Sequence, residues 1–279
     1  IWSEAYAVDF AQGGVMAPWS SLAPSSTGSG AMVERVTFVQ DGWEHTSITI
    51  DCHYKSEPGI AAVYLLISRG LGLPSAVSRG PVHAAFVDAN TANAAPLLLA
   101  ALHAESVGLD EVRYILITHV HLDHSGGTAA LVAACPGAQV LCHPRALRHL
   151  CEPARLAAAA EAVYGTEAFK RLYGSVEAVP AGRIAALQDG SEVELCEGRP
   201  LRCLHVRGHA KHHFVVHDPA TRRLFAGDAL GICYTKRLLD AGLVRPVLYP
   251  ATPPSDFEAK EAVEAVWRIA ALEHVDMYM

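Results

Sequence analysis

No C-x-x-C pair occurs among the seven cysteines, Cys52, Cys135, Cys142, Cys151, Cys196, Cys203 and Cys233. Their number is odd and their spacing wide, so neither a disulfide framework nor a zinc knuckle is indicated. Buried thiols in a reducing, cytoplasmic compartment are the simpler reading. No uncharged apolar run reaches the roughly 18 residues that a bilayer span needs; the longest, 60–68 and 94–102, read as core elements. Positive charge is scarce, with 22 Lys+Arg against 29 Asp+Glu and no large basic cluster, which argues against nucleic-acid and anionic-membrane partners. Residues 1–31 contain no Lys or Arg, so the basic start of an intact signal peptide is missing. There is no G-x-S-x-G elbow, P-loop or G-x-G-x-x-G, and serine-hydrolase and nucleotide-binding readings lack a starting point.

Apolar residues are plentiful, at 51% of the 279 residues, so a sizeable core can form and global disorder is excluded. Histidine is also plentiful, with 15 in the chain. Residues 1–31, with Ala17-Pro18 and the run Ala23-Pro24-Ser25-Ser26-Thr27-Gly28-Ser29-Gly30, read as a flexible extension or linker ahead of one domain over 32–279. The chain begins at Ile1, Met32 offers itself as an alternative start, and Met279 ends the apolar run Val275–Met279. These ends read as those of a trimmed chain.

From Val33 the pattern is β-rich. Alternation over 33–39 and 45–50 predicts half-buried strands, and the short apolar runs 61–67, 84–87 and 114–118 predict strands buried on both faces. An extended loop is expected over 70–81. Helices are expected over 94–107, 128–134, 144–150, 153–164 and 167–173, with a short strand over 139–142. After Asp189-Gly190, strands return over 193–196, 201–206, 214–217 and 223–226. A proline-rich loop then leads to a helix over 257–272 with Ser255 as N-cap, and a final strand starts at Val275. Two β blocks, each needing cover for its sheet, predict two stacked sheets with helices outside.

The chemistry concentrates in Thr118-His119-Val120-His121-Leu122-Asp123-His124-Ser125-Gly126-Gly127, a loop at the end of the strand over 114–118. His119 and His121 share one face of extended backbone while Val120 faces the core. Three imidazoles and a carboxylate within six residues suit a borderline-soft divalent ion such as zinc. Downstream, Gly208-His209 follows the strand over 201–206 and Gly227-Asp228 follows that over 223–226. Each repeats the order strand, glycine, donor. Six candidate donors from three strand ends exceed the need of one tetrahedral ion and suit two ions sharing a bridge.

The run His119-x-His121-x-Asp123-His124, followed by Gly208-His209 and Gly227-Asp228, resembles the metallo-β-lactamase-fold hydrolases, over roughly Val33 to Met279. Within them it looks closest to the glyoxalase II-like enzymes, through His143-Pro144 with Leu150 and through Gly208-His209-x-x-x-His213. The resemblance implies an α/β architecture: an αββα four-layer sandwich of two mixed β-sheets flanked by helices, with metals at one edge. It implies one ion held by His119, His121 and His209, a second by Asp123 and His124, and Asp228 bridging them. Asp88 would orient a ligand from outside the coordination sphere, and His143 and His213 are candidates for similar supporting roles.

Three departures from the family pattern stand out. Val206-Arg207 replaces its usual Thr-Pro, and His212 stands where glycine is common. The family's last metal-binding His, just after the final strand, has no counterpart, because His274 precedes that strand and reads as a cation at a helix C-terminus.

The expectation is a binuclear metal hydrolase, with zinc first and iron or manganese as alternatives, acting on a small thioester or related activated acyl compound. Asp123 and Asp228 would serve catalysis, and a homodimer is an open expectation. The loop over 231–254, with Tyr234, Lys236, Arg237, Arg245 and Tyr249, could offer cations to an acidic group. The competing readings are a lactonase or β-lactamase, a mononuclear-iron persulfide dioxygenase, and a non-catalytic metal-binding protein.

Overall fold

The structure, a computed structural model, describes residues 8–9, 14–15, 32–72, 80–233, 248–253 and 256–279. Apart from a two-stranded ribbon of β1 (Val8–Asp9) and β2 (Gly14–Val15), the extension expected over 1–31 lies outside the described residues, as do Tyr234, Lys236, Arg237, Arg245, Ser255 and residues 73–79 of the loop over 70–81.

Seven strands form the larger sheet in chain order: β3 (Met32–Gln40), β4 (Trp43–Asp51), β5 (Ala62–Gly70), β6 (Val82–Val87), β7 (Val112–Ile117), β8 (Gln139–Cys142) and β9 (Ile184–Ala186). The first four pair antiparallel through hairpins, and β6 to β9 pair parallel through helical crossovers. The short β9 carries no clear sequence pattern and was not among the expected strands. Five strands make the second sheet: β10 (Glu192–Cys196), β11 (Arg199–Val206), β12 (His213–Asp218), β13 (Arg223–Phe225) and β14 (Met277–Tyr278). All are antiparallel except the last pair.

Side-chain alternation divides the core into layers. Val63, Leu65, Ile67, Phe86, Ile115, Ile117 and Val140 face away from the second sheet, and they pack with Leu98 and Leu102 of helix α1 (Ala95–Ala104) and Leu131 of helix α3 (Thr128–Ala134). Their neighbours Leu66, Ala85, Val87, Leu116 and Leu141 face the second sheet and meet Leu195, Leu201, Phe214, Val216 and Phe225. On the outer face of that sheet, Val215, Leu224 and Val206 pack under Ala265 and Ile269 of the helix Ala259–Ala270. Helix, sheet, sheet, helix is the order of layers, as expected. Strands buried on both faces read as continuous apolar runs for this reason.

Two details differ from expectation. The C-terminal helix starts at Ala259 rather than 257, and its last turn carries Arg268; His274, expected as the cation there, lies beyond the helix with φ of 59°. Among the described residues no helix is long and apolar enough to cross a membrane.

Candidate metal centre

The candidate donors emerge at one edge of the stacked sheets because parallel strands deliver their C-terminal ends to the same side. β6 ends at Val87 and leads into Asp88; β7 ends at Ile117 and leads into Thr118 and His119. The hairpin between β11 and β12 carries His209, and β13 leads through Ala226-Gly227 into Asp228. The two sheets are tied together here by the Phe214 N–H donating to the Thr118 carbonyl at 2.9 Å. Val120 packs into the core, and the flanking His119 and His121 point away from it into the cluster, His119 fully buried there. Asp123 and His124 sit on a one-turn helix, α2 (Leu122–Ser125), where a loop was expected.

Gly208 and Gly227 do more than turn the chain. Gly208 has φ of 111°, and a Cβ there would stand 2.3 Å from the Ala262 backbone. Gly227 has φ of 50°, and its Cβ would stand 2.8 Å from Thr118 Oγ1 and 2.9 Å from His213 Nε2. Both positions need left-handed backbone and open space together.

His119, His121, His209 and Asp228 bring one donor atom each to within 4.8 Å of one another. His119 Nε2 lies 3.0 Å from His121 Nδ1 and 3.2 Å from His209 Nε2, and the latter two nitrogens are 2.9 Å apart. The outer partners decide which nitrogens carry protons. His209 Nδ1 is 3.0 Å from the Ala251 carbonyl, which can only accept, so that nitrogen is the donor and Nε2 presents a lone pair. The single hydroxyl proton of Thr118 goes to the Asp88 carboxylate at 2.9 Å. Thr118 Oγ1 therefore accepts from His119 Nδ1 at 3.1 Å, and His119 Nε2 also presents a lone pair.

Two imidazole lone pairs facing one another at 3.2 Å repel unless a metal ion, or a proton on the neighbouring His121 Nδ1, is shared between them. Tetrahedral zinc, with Zn–N near 2.0–2.1 Å, holds its nitrogens roughly 3.3 Å apart, so the residues present fit such an ion. Burial, followed by the surrounding imidazoles, drives the pKa of His119 well below 6.5, and burial followed by His209 lowers that of His121 to about 4. Both are thereby kept in the neutral form a metal needs.

His124 stands apart from this group of four. Its Nδ1 is 2.7 Å from Asp88 Oδ2 and its Nε2 is 3.3 Å from Asp228 Oδ1. Burial opposes its charge, but Asp228 and Asp88 outweigh that and raise its pKa well above 6.5. Burial likewise opposes the charge of Asp228, and His124 outweighs it, so that carboxyl is held well below the usual range. Asp123 is half-buried in the first turn of α2, and among the described residues no hydrogen bond or ion pair engages its carboxylate.

Asp88 is buried in left-handed backbone with φ of 65° and also accepts from the Thr118 N–H at 2.8 Å. His213 stacks on His119 with ring centroids 4.7 Å apart, and its Nε2 accepts from the Asp228 N–H at 3.3 Å. The fit of His212 into the hairpin is also visible: its Nδ1 accepts from the Val120 N–H at 3.4 Å. His143 is not drawn into the cluster. Its ring packs against His205 with centroids 4.1 Å apart and planes tilted by 38°, and it lines a cleft with Asp189, Arg207 and Glu264. Thr118 and the Ala251 carbonyl escaped the sequence reading. Thr118 was legible only as a strand end, and a main-chain carbonyl leaves no trace in residue identity.

Residues 83–278 match the family described as the metallo-beta-lactamase superfamily. ST1585, a metallo-beta-lactamase fold-containing protein of Sulfurisphaera tokodaii, is 29% identical over 150 residues, which are 52% of this chain and 51% of that protein. The chain thus matches about half the length of this curated relative. The crystal structure of ST1585 from Sulfolobus tokodaii superposes with a TM-score of 0.54 at 26% identity, covering 76% of this chain and 70% of that one. A Cronobacter sakazakii metallo-beta-lactamase gives 0.52 at 18% identity over 88% of this chain and 80% of its own, a likeness of fold alone. With the family's description matched over residues 83–278, well over half of the chain, the chain belongs to the metallo-beta-lactamase superfamily.

Proposed function

We propose that the chain is a metal-dependent hydrolase that uses two divalent ions, zinc first, on a thioester or similarly activated acyl substrate. The observation that carries this reading is the pair of convergent imidazole lone pairs on His119 and His209, fixed by Thr118 and Ala251. His119, His121 and His209 would hold one ion; His124 and Asp123 would hold the other; Asp228, facing both His209 and His124, would bridge. When bound, such ions lower the pKa of water from 15.7 to about 7 and draw charge from an acyl carbonyl.

The chain's own residues supply the rest. Asp88 holds His124 directly and His119 through Thr118, so both rings are pre-oriented before substrate arrives. Asp123, whose carboxylate is unengaged among the described residues, would orient the attacking water and take its proton. A thiolate leaves without help from an acid, so a thioester does not need a further proton donor for its leaving group among the described residues.

One ion would need only the four clustered donors, so the one-ion reading, including an iron dioxygenase, is separated by stoichiometry. The test is metal analysis with a thioester, lactone and cephalosporin panel on wild type, Asp123→Asn and Asp228→Ala. Two ions per chain with thioester turnover are expected, and Asp123→Asn is expected to lose about 100-fold in kcat together with affinity for the second ion. Full metal and full turnover in Asp228→Ala would overturn the bridging role.

A further inference from the structure

Main-chain bonds link two of the candidate metal donors by a route that neither donor reveals. Downstream of Asp228, the Gly231 N–H donates back to the Asp228 carbonyl at 3.1 Å, closing a tight turn. The next residue, Ile232, forms an isolated antiparallel bridge with Tyr249. The Ile232 N–H donates to the Tyr249 carbonyl at 2.7 Å, and the Tyr249 N–H donates to the Ile232 carbonyl at 2.9 Å. Two residues beyond Tyr249, across Pro250, the buried Ala251 carbonyl accepts from His209 Nδ1.

Gly231 makes this closure feasible. Its φ is 98°, and a Cβ there would stand 2.2 Å from the Tyr249 carbonyl oxygen. A side chain at 231 would push the two backbones apart. Pro250, with φ confined near −65°, passes the placement of Tyr249 on to Ala251 with little slack.

We infer that the Ile232–Tyr249 bridge is a positioning device for His209, acting through the Ala251 carbonyl. The inference rests on the metal-binding reading above. A neutral imidazole has two tautomers, and only the one protonated at Nδ1 turns a lone pair at Nε2 toward His119 and His121. The carbonyl selects that tautomer, and the bridge holds the carbonyl in place. Outer partners of this kind are worth about 10- to 100-fold in metal affinity. Coupling is reciprocal, so a bound ion should in turn hold the bridge closed.

Two measurements test this. In the unmodified chain, amide hydrogen exchange at Ile232 and Tyr249 is followed with and without zinc; slowing of about tenfold or more is expected on zinc addition. In Gly231→Ala, zinc affinity by chelator competition is expected to fall about 10- to 100-fold. Its nitrogen-15 spectrum should show His209 passing from the Nδ1-protonated tautomer to a mixture, with far-ultraviolet circular dichroism unchanged. Exchange at both amides that ignores zinc overturns the inference, whether or not the variant folds. So does a folded Gly231→Ala that binds zinc within twofold of wild type. A wild-type chain that takes up no zinc overturns the metal-binding reading itself, and is told apart from the other failures by that first titration.

Discussion

The Oδ2 of Asp88 lies 2.7 Å from Nδ1 of His124, while the same carboxylate accepts from both the N–H and the hydroxyl of Thr118. One buried anion thereby holds the Nδ1 proton of His124 directly and sets the tautomer of His119 through Thr118. Its backbone is left-handed, which Asn tolerates about as well as Asp. Asp88→Asn therefore removes the charge without adding strain. The expected outcome is a 10- to 100-fold loss of zinc affinity and roughly 1–3 kcal/mol of stability, the latter from buried donors left without an ionised acceptor. Chelator competition and urea unfolding of the metal-free chain check this, and wild-type values in both would sink it.

Crowding around Gly227 yields a second expectation. Ala at this position meets Thr118 and His213 in addition to adopting left-handed backbone. Gly190, with φ of 76° and nothing within 4 Å of a Cβ, is the matched control. Gly190→Ala should cost about 1 kcal/mol from backbone strain alone. Gly227→Ala should cost clearly more and also reduce zinc uptake. Equal melting temperatures for the two variants would remove the crowding argument.

Acid should weaken the metal-free fold at sites remote from the metal centre. His45 and His217 are buried, and burial first of all holds both pKa values below 6.5; for His45, Arg199 adds to this. The unfolded chain takes up these protons near pH 6.5 while the folded chain does not. Stability is therefore full above that pH and declines as pH falls through it, by at most about 1.4 kcal/mol per pH unit for each histidine. Urea unfolding at pH 7.5 and 5.5 should show the loss, and His217→Gln should flatten the slope. A pH-independent midpoint across that range would contradict it.

A separate acid transition belongs to Asp218, paired with Arg199 at 2.6 Å where both side chains are fully buried. Burial opposes the Asp218 charge, but Arg199 outweighs it and the carboxyl titrates below its usual 3.8. The pair's contribution is present above about pH 4 and is lost as pH falls through the folded-state value. Asp218→Asn should cost about 3–5 kcal/mol by stranding the guanidinium, whereas Arg199→Met with Asp218→Leu should recover much of that. A single Asp218→Asn variant as stable as wild type would show the pair to be unimportant.

How much of this was legible beforehand differs from residue to residue. His119-x-His121-x-Asp123-His124 announced itself because donors at that density after a buried strand have few other uses. The strands buried on both faces, such as 62–70 and 112–117, were readable because their apolar runs lack alternation. β9 was missed because its three residues carry too little pattern to stand out. The one-turn helix α2 is not legible in the sequence, because four residues are too few to show a helical period. His143 reads as a pocket residue by position, and it lines a cleft beside His205 rather than joining the four clustered donors.

By itself, the sequence determined the layered α/β class, the order of strands and helices, and the identity of the donor-rich strand ends. Those follow from local periodicity and local composition. Only the tertiary structure decided which lone pairs converge, that Asp88 governs two histidines at once, and that a carbonyl 42 positions along the chain orients His209. Such decisions turn on distances of a few tenths of an ångström between residues remote in sequence. Main-chain atoms take part in them, and every residue carries the same main-chain atoms.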